Sequence, residues 1–149
     1  MKRASRLFGV AVLVGAPLFF EACGRLAGAP QATSSDAALA KGRQVYATYC
    51  QSCHGDATGN GRQPNVASHG PDGHTWHHSD RDLTEIVEQG SDSPASRMMR
   101  EMMGPPDTPR MPAWKGTLSD DDIRAVIAYI KTFWTPEQRR LQQESPMMP

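Results

Sequence analysis

Between residues 55 and 79 the chain shows no apolar periodicity of either helical or strand type. Gly55, Gly59, Gly61, Pro64, Gly70, Pro71 and Gly73 interrupt every element that could start there. A structureless stretch of this length inside a compact domain has a task, such as wrapping a ligand. At 149 residues the chain has room for one domain and a targeting segment, not for two full domains. A domain of about a hundred residues has a thin core and often relies on an added staple. A large apolar group at its centre would supply one.

The segments around this stretch read as helices. Residues 36–49 carry a loose apolar stripe of Leu39, Val45, Tyr46 and Tyr49, with Ser35 as N-cap and Asp36 in the first turn. Gly42 costs that helix roughly 1 kcal/mol against Ala, which points to close approach by another element. Residues 80–89 follow Ser79 and Asp82, a capping box, and bury Leu83, Ile86 and Val87 before Gly90 stops the helix. Residues 91–116 are irregular apart from a helical turn through 98–103. The strongest element begins at Ser119, with Asp122 completing a box and Leu118 stapled onto Ile123. Ile123, Val126, Ile127, Ile130 and Trp134 continue its apolar face. Pro136 is read as its stop, and residues 137–149 as a frayed polar tail. With no alternating strand and no internal repeat, the fold class expected is all-α with long loops.

The first residues read as an export signal: Lys2, Arg3 and Arg6 precede an apolar run at 7–20, too short to span a bilayer comfortably. Cys23 follows directly, with the small Ala22 before it, and reads as a lipid-accepting cysteine. Ala27–Gly28–Ala29 is the competing ordinary cleavage site. The expected organisation is a signal at 1–22, a flexible tether at 23–35, a domain at 36–135 and a tail at 136–149. The whole chain has zero formal charge, and removal of 1–22 leaves 13 basic and 15 acidic residues. That balance argues against nucleic acid as a partner.

Cys50, Cys53 and His54 form the motif C-Q-S-C-H. This spacing is the signature of covalent c-type haem attachment: two thiols add across two vinyl groups, and the next histidine lies under the iron. A thioredoxin-like motif would want a βαβ neighbourhood, which is missing. A zinc site would want a second C-x-x-C or a correctly spaced histidine pair. A plain disulfide is the remaining reading.

G-R-Q-V-Y at 42–46, C-Q-S-C-H-G at 50–55, M-P-A-W at 111–114 and S-D-D-D-I-R-A-V-I-A-Y-I-K at 119–131, in that order, resemble a bacterial class I (mono-haem) cytochrome c. The resemblance covers residues 36–134. It implies a small fold of three to four helices with long loops around one covalently attached haem c. It makes Cys50 and Cys53 the thioether cysteines, His54 the proximal iron ligand and Met111 the distal one. Gly42 would pack against Tyr129 or Phe133, and the segment of Pro64 would offer a carbonyl to the second nitrogen of His54, a bond that orients the ligand. The function implied is an electron carrier, not an enzyme. It would pass single electrons between redox partner proteins on the periplasmic side of a bacterial membrane, anchored by N-terminal lipid. A haem-bearing subunit of an oxidoreductase complex is one alternative reading, and a periplasmic copper- or metal-binding protein is another. A peroxidase would need an open distal face, which M-P-A-W opposes.

Two segments depart from the compact pattern. Residues 59–78 hold His69, His74, His77 and His78, read as a solvated loop, with a surface copper or zinc site as the sharper alternative. Met98, Met99, Met102 and Met103 read as a packing surface, although thioethers also select Cu(I). Trp76 and Trp114 are expected to cover the haem, and Trp134 to pack in the core.

Overall fold

The structure, a computed structural model, describes residues 33–104 and 107–144. The expected export signal, Cys23 and the tether up to residue 32 lie outside the described residues. Helix α1 runs Ser34–Val45. Its N-cap is Thr33, not Ser35: the Thr33 hydroxyl accepts from Asp36 N at 3.2 Å, and the Asp36 carboxylate accepts from Thr33 N at 3.1 Å. The chain then widens into one π turn, Tyr46–Cys50, and resumes as the short helix α2, Gln51–His54. The helix expected to end at Tyr49 therefore continues through the whole cysteine motif.

Helix α3, Asp80–Gln89, matches its expected bounds, with both bonds of the Ser79–Asp82 box present. The methionine-rich turn is a full helix, α4, Pro94–Met103, capped by Ser93, whose hydroxyl accepts from Ser96 N at 3.1 Å. Pro94 sits at its first turn, where a fixed φ and a missing N–H cost nothing. Helix α5, Asp120–Lys131, has the expected Ser119–Asp122 box. It ends before Phe133 and Trp134, which lie past its cap at Thr132.

The residues expected to fray form α6, Pro136–Glu144. Thr135 and Gln138 exchange the two bonds of a capping box, Thr135 N to Gln138 Oε1 at 3.0 Å and Gln138 N to Thr135 Oγ1 at 3.2 Å. Pro136 ends the preceding segment, but its fixed φ suits the first turn of the next helix. Among the described residues there is no strand, only an isolated bridge between Lys115 and Leu118. The fold is all-α.

The centre of the domain is the packing of α1 on α5. Ile123, Val126, Ile127 and Ile130 of α5 are buried with Val45, Tyr46, Leu83 and Val87. Each such side chain contributes roughly 1.5–3 kcal/mol on burial. The ion pair Lys41–Asp122 (3.0 Å) crosses the same pair of helices at the surface and contributes little by comparison. Gly42 makes the approach possible. A Cβ there would run into the Ala125 carbonyl and lie 2.8 Å from Tyr129 Cβ.

Candidate functional site

The two irregular stretches, with α2, α3, α4 and α5, border a cavity of about 710 Å³. That is within the roughly 300–1,000 Å³ of small-molecule and cofactor sites. Leu83, Val87, Val126, Ile127 and Ile130 give it an apolar wall. Cys50, Cys53, His54 and Met111 all line it, so one cavity gathers the residues singled out in the motif and in M-P-A-W.

The π turn places the first of these. Each helical residue advances about 100°, so one extra residue in a turn re-aims everything after it. Cys50 is buried and Cys53 half-buried, and both are free. Burial, with Cys53 beside it, pushes the Cys50 thiol up to about 11. This is opposite to the depressed thiol of a thiol–disulfide oxidoreductase. His54 Nδ1 donates to the Ala67 carbonyl at 2.8 Å. That bond leaves Nε2 as the ring's lone-pair nitrogen. Burial lowers the His54 pKa, the Ala67 bond opposing it, which favours the neutral imidazole that a metal requires. The carbonyl expected from the segment of Pro64 thus comes from Ala67. The segment is zipped to the motif by Gln63 N to Cys53 O (2.9 Å) and Gln63 Nε2 to Ser52 O (3.3 Å).

Met111 is carried by a strap tied to the end of α3. Met111 N donates to Ser91 Oγ at 2.7 Å, and Ser91 N donates to Met111 O at 3.0 Å. Trp114 N and Lys115 N donate to Val87 O and Glu88 O, both at 3.1 Å. Gly90 has φ +61°, and a Cβ on it would strike the carbonyls of Met111 and Pro112. Only glycine serves both the turn and the strap. Arg100 of α4 adds a bond from its guanidinium to Ser91 O at 2.9 Å.

The remaining expectations separate. Met99 lines the cavity, while Met98 and Met102 are exposed on α4. Trp114 lines the cavity and meets the Tyr49 ring edge-on at 5.1 Å. Trp76 is not among the lining residues: it packs against the core and stacks on His77 at 3.6 Å. Trp134 is a core residue, as expected. His74 lies 4.8 Å from the ring of His77 and 5.1 Å from that of His78. Among the described residues no group of three or more His, Cys, Asp or Glu side chains is arranged to hold a metal ion.

His69 is the residue that sequence reasoning placed wrongly. It is not a solvated loop side chain: its ring stacks on His54 at 4.1 Å and 17°, and it lines the cavity. Its Nδ1 is buried without a partner, and burial, then His54, hold its pKa well below the ordinary value. Two imidazoles stacked face to face lie side by side and cannot bracket one ion from opposite sides. His69 in this position therefore does not compete with Met111.

Paired thiols, a neutral buried imidazole, a thioether and apolar walls in one cavity are a donor set that fits a covalently held haem. Fold and site together define a c-type cytochrome domain. Residues 37–130 match the family model described as "Cytochrome C oxidase, cbb3-type, subunit III". That is more than half of the chain, and the chain belongs to this family. Membership implies covalently bound haem c and haem-based electron transfer with redox partners, and it fits a carrier and not an enzyme. A comparison with solved structures gives no match.

Proposed function

We propose that the protein is an exported one-electron carrier holding a single haem c, with Cys50 and Cys53 as thioether anchors and His54 and Met111 as the two axial ligands. The observation carrying this reading is that all four side chains line one largely apolar cavity, with His54 Nδ1 held by Ala67 O. Haem supplies the one-electron iron couple. His54 is oriented by Ala67 so that Nε2 is its free donor. Ser91 holds the Met111 strap, and the α3 and α5 side chains keep water from the cavity. With His54 and Met111 both bound, the iron would offer no open site to a substrate, and His/Met ligation would raise its potential relative to other ligand sets. In this reading residues 1–22 export the chain, Cys23 carries lipid, and the domain works on the periplasmic face of the membrane.

A haem stain after denaturing electrophoresis tests the anchor. The native band is expected to stain, and the Cys50→Ala/Cys53→Ala band to be colourless. An unstained native band from cells equipped for haem attachment would sink the proposal. The family's description names an oxidase subunit, which favours delivery of electrons within a larger complex. Co-purification after mild membrane solubilisation separates a subunit from a free carrier.

A further inference from the structure

Trp134, Gln138 and Gln142 are spaced four residues apart, and each donates to a backbone carbonyl of the loop between α2 and α3. Trp134 Nε1 reaches His69 O at 3.1 Å, and Gln138 Nε2 reaches Pro71 O at 2.8 Å. Gln142 Nε2 reaches His78 O at 3.3 Å and Asp80 Oδ1 at 2.6 Å. Spacing of four places Gln138 and Gln142 on one face of α6, with Trp134 leading into it. Gln142 is only 5% exposed, an uncommon depth for a glutamine, and its amide is held by these bonds. Lys131 pairs with Asp80 beside it.

The loop held in this way brings His69, His74, Thr75 and His78 to the cavity. Its first anchored residue is His69, whose ring lies on His54. Contact from the segment leading into α6 to the His54 imidazole thus takes two steps: Trp134 to the His69 backbone, then ring on ring. All three donors fall beyond the family match, which ends at residue 130.

We propose that α6 is a latch on the haem cavity: Trp134, Gln138 and Gln142 are positioning residues that hold the 69–78 wall closed and so set the reduction potential. This rests on the cavity being the haem site. Oxidised iron carries one more positive charge than reduced iron and gains more from water. A wall held shut disfavours the oxidised state, and a loosened wall favours it.

The test uses the full haem-loaded chain and Gln142→Met, which keeps the volume and removes both donors. The amides of Gly73, His77 and His78 bond within the loop, to Gly70 O, His74 O and Thr75 O, and report its opening. Their hydrogen exchange is expected to quicken at least about tenfold, with α5 amides unchanged. The reduction equilibrium is expected to move about threefold toward the oxidised form, or ~28 mV at 59 mV per tenfold. Gln138→Glu, which keeps the oxygen that caps Thr135 N and removes the donor to Pro71 O, should quicken the same loop amides and serves if Gln142→Met fails to accumulate. Unchanged loop exchange, exchange raised uniformly across α1 and α5, or a potential that stays or rises would each overturn the latch. A native protein lacking low-spin haem would instead overturn the site reading, while the exchange data still decide whether α6 holds the loop.

Discussion

The α1–α5 pair and the walls of the cavity are held by different means. In the pair, apolar faces at helical spacing meet across Gly42, and each helix starts on its own capping box. Every one of those instructions acts over a few residues. The cavity's loop walls, unlike the wall that α5 itself provides, are fixed by bonds between distant segments: His54 to Ala67 across 13 positions, Met111 to Ser91 across 20, Gln142 to His78 across 64. The scaffold is therefore dense in redundant contacts, whereas each wall depends on a few polar groups. Damage to the first should unfold the domain, and damage to the second should change the site before the fold.

Gly42→Val should give the largest effect. Its side chain would collide with the Ala125 carbonyl, and overpacking of a rigid backbone costs on the order of 3 kcal/mol. Thermal unfolding should register this at roughly 4–8 °C in Tm per kcal/mol. A native-like Tm would mean that α1 and α5 separate more easily than this packing allows.

Ser91→Ala attacks a wall instead. It strands the Met111 N–H in a part-buried position, at a cost of about 1–3 kcal/mol. On heating, the weak iron–sulfur charge-transfer band should fade before helical circular dichroism does. Simultaneous loss of both would erase the distinction between wall and scaffold.

Acid sharpens the scaffold side. The Ser119 hydroxyl, then Lys41, hold the Asp122 carboxyl down to about 2. Because the folded value is depressed, this stabilisation is complete above the ordinary carboxylate range of about 4. It is lost as pH falls through about 2. An acid titration of Asp122→Asn should show a flatter decline of stability over that window than the native chain. The smallest effect belongs to Arg140, which grips Glu137 and Glu144 on the exposed side of α6. Arg140→Ala should leave Tm and potential unchanged within error, because exposed pairs are screened and cost side-chain entropy.

The same contrast sets what could be read from the sequence. Helix α3 and the start of α5, with Ser79, Ser119 and their aspartates, are written locally and appear where expected, although α5 ends at Lys131, short of Trp134. The all-α class follows from them, and C-Q-S-C-H with M-P-A-W pointed to residues that share one cavity. Thr135–Pro136–Glu137–Gln138 is equally local, a capping box with proline at the first turn, but Pro136 fits the end of one helix as well as the start of the next. The π turn leaves no pattern in five residues. Ala67 acts through a backbone carbonyl that no side chain advertises. His69 looked like its three loop neighbours because its partners, His54 and Trp134, are 15 and 65 positions away.

Visible spectroscopy of the oxidised native protein, set beside Met111→Ala and Met99→Ala, tests most directly the claim that one cavity closes on His54 and Met111. The expected result is an iron–sulfur charge-transfer band in the native chain and in Met99→Ala, lost in Met111→Ala alone. Survival of the band in Met111→Ala, or its absence from the native protein, would contradict it.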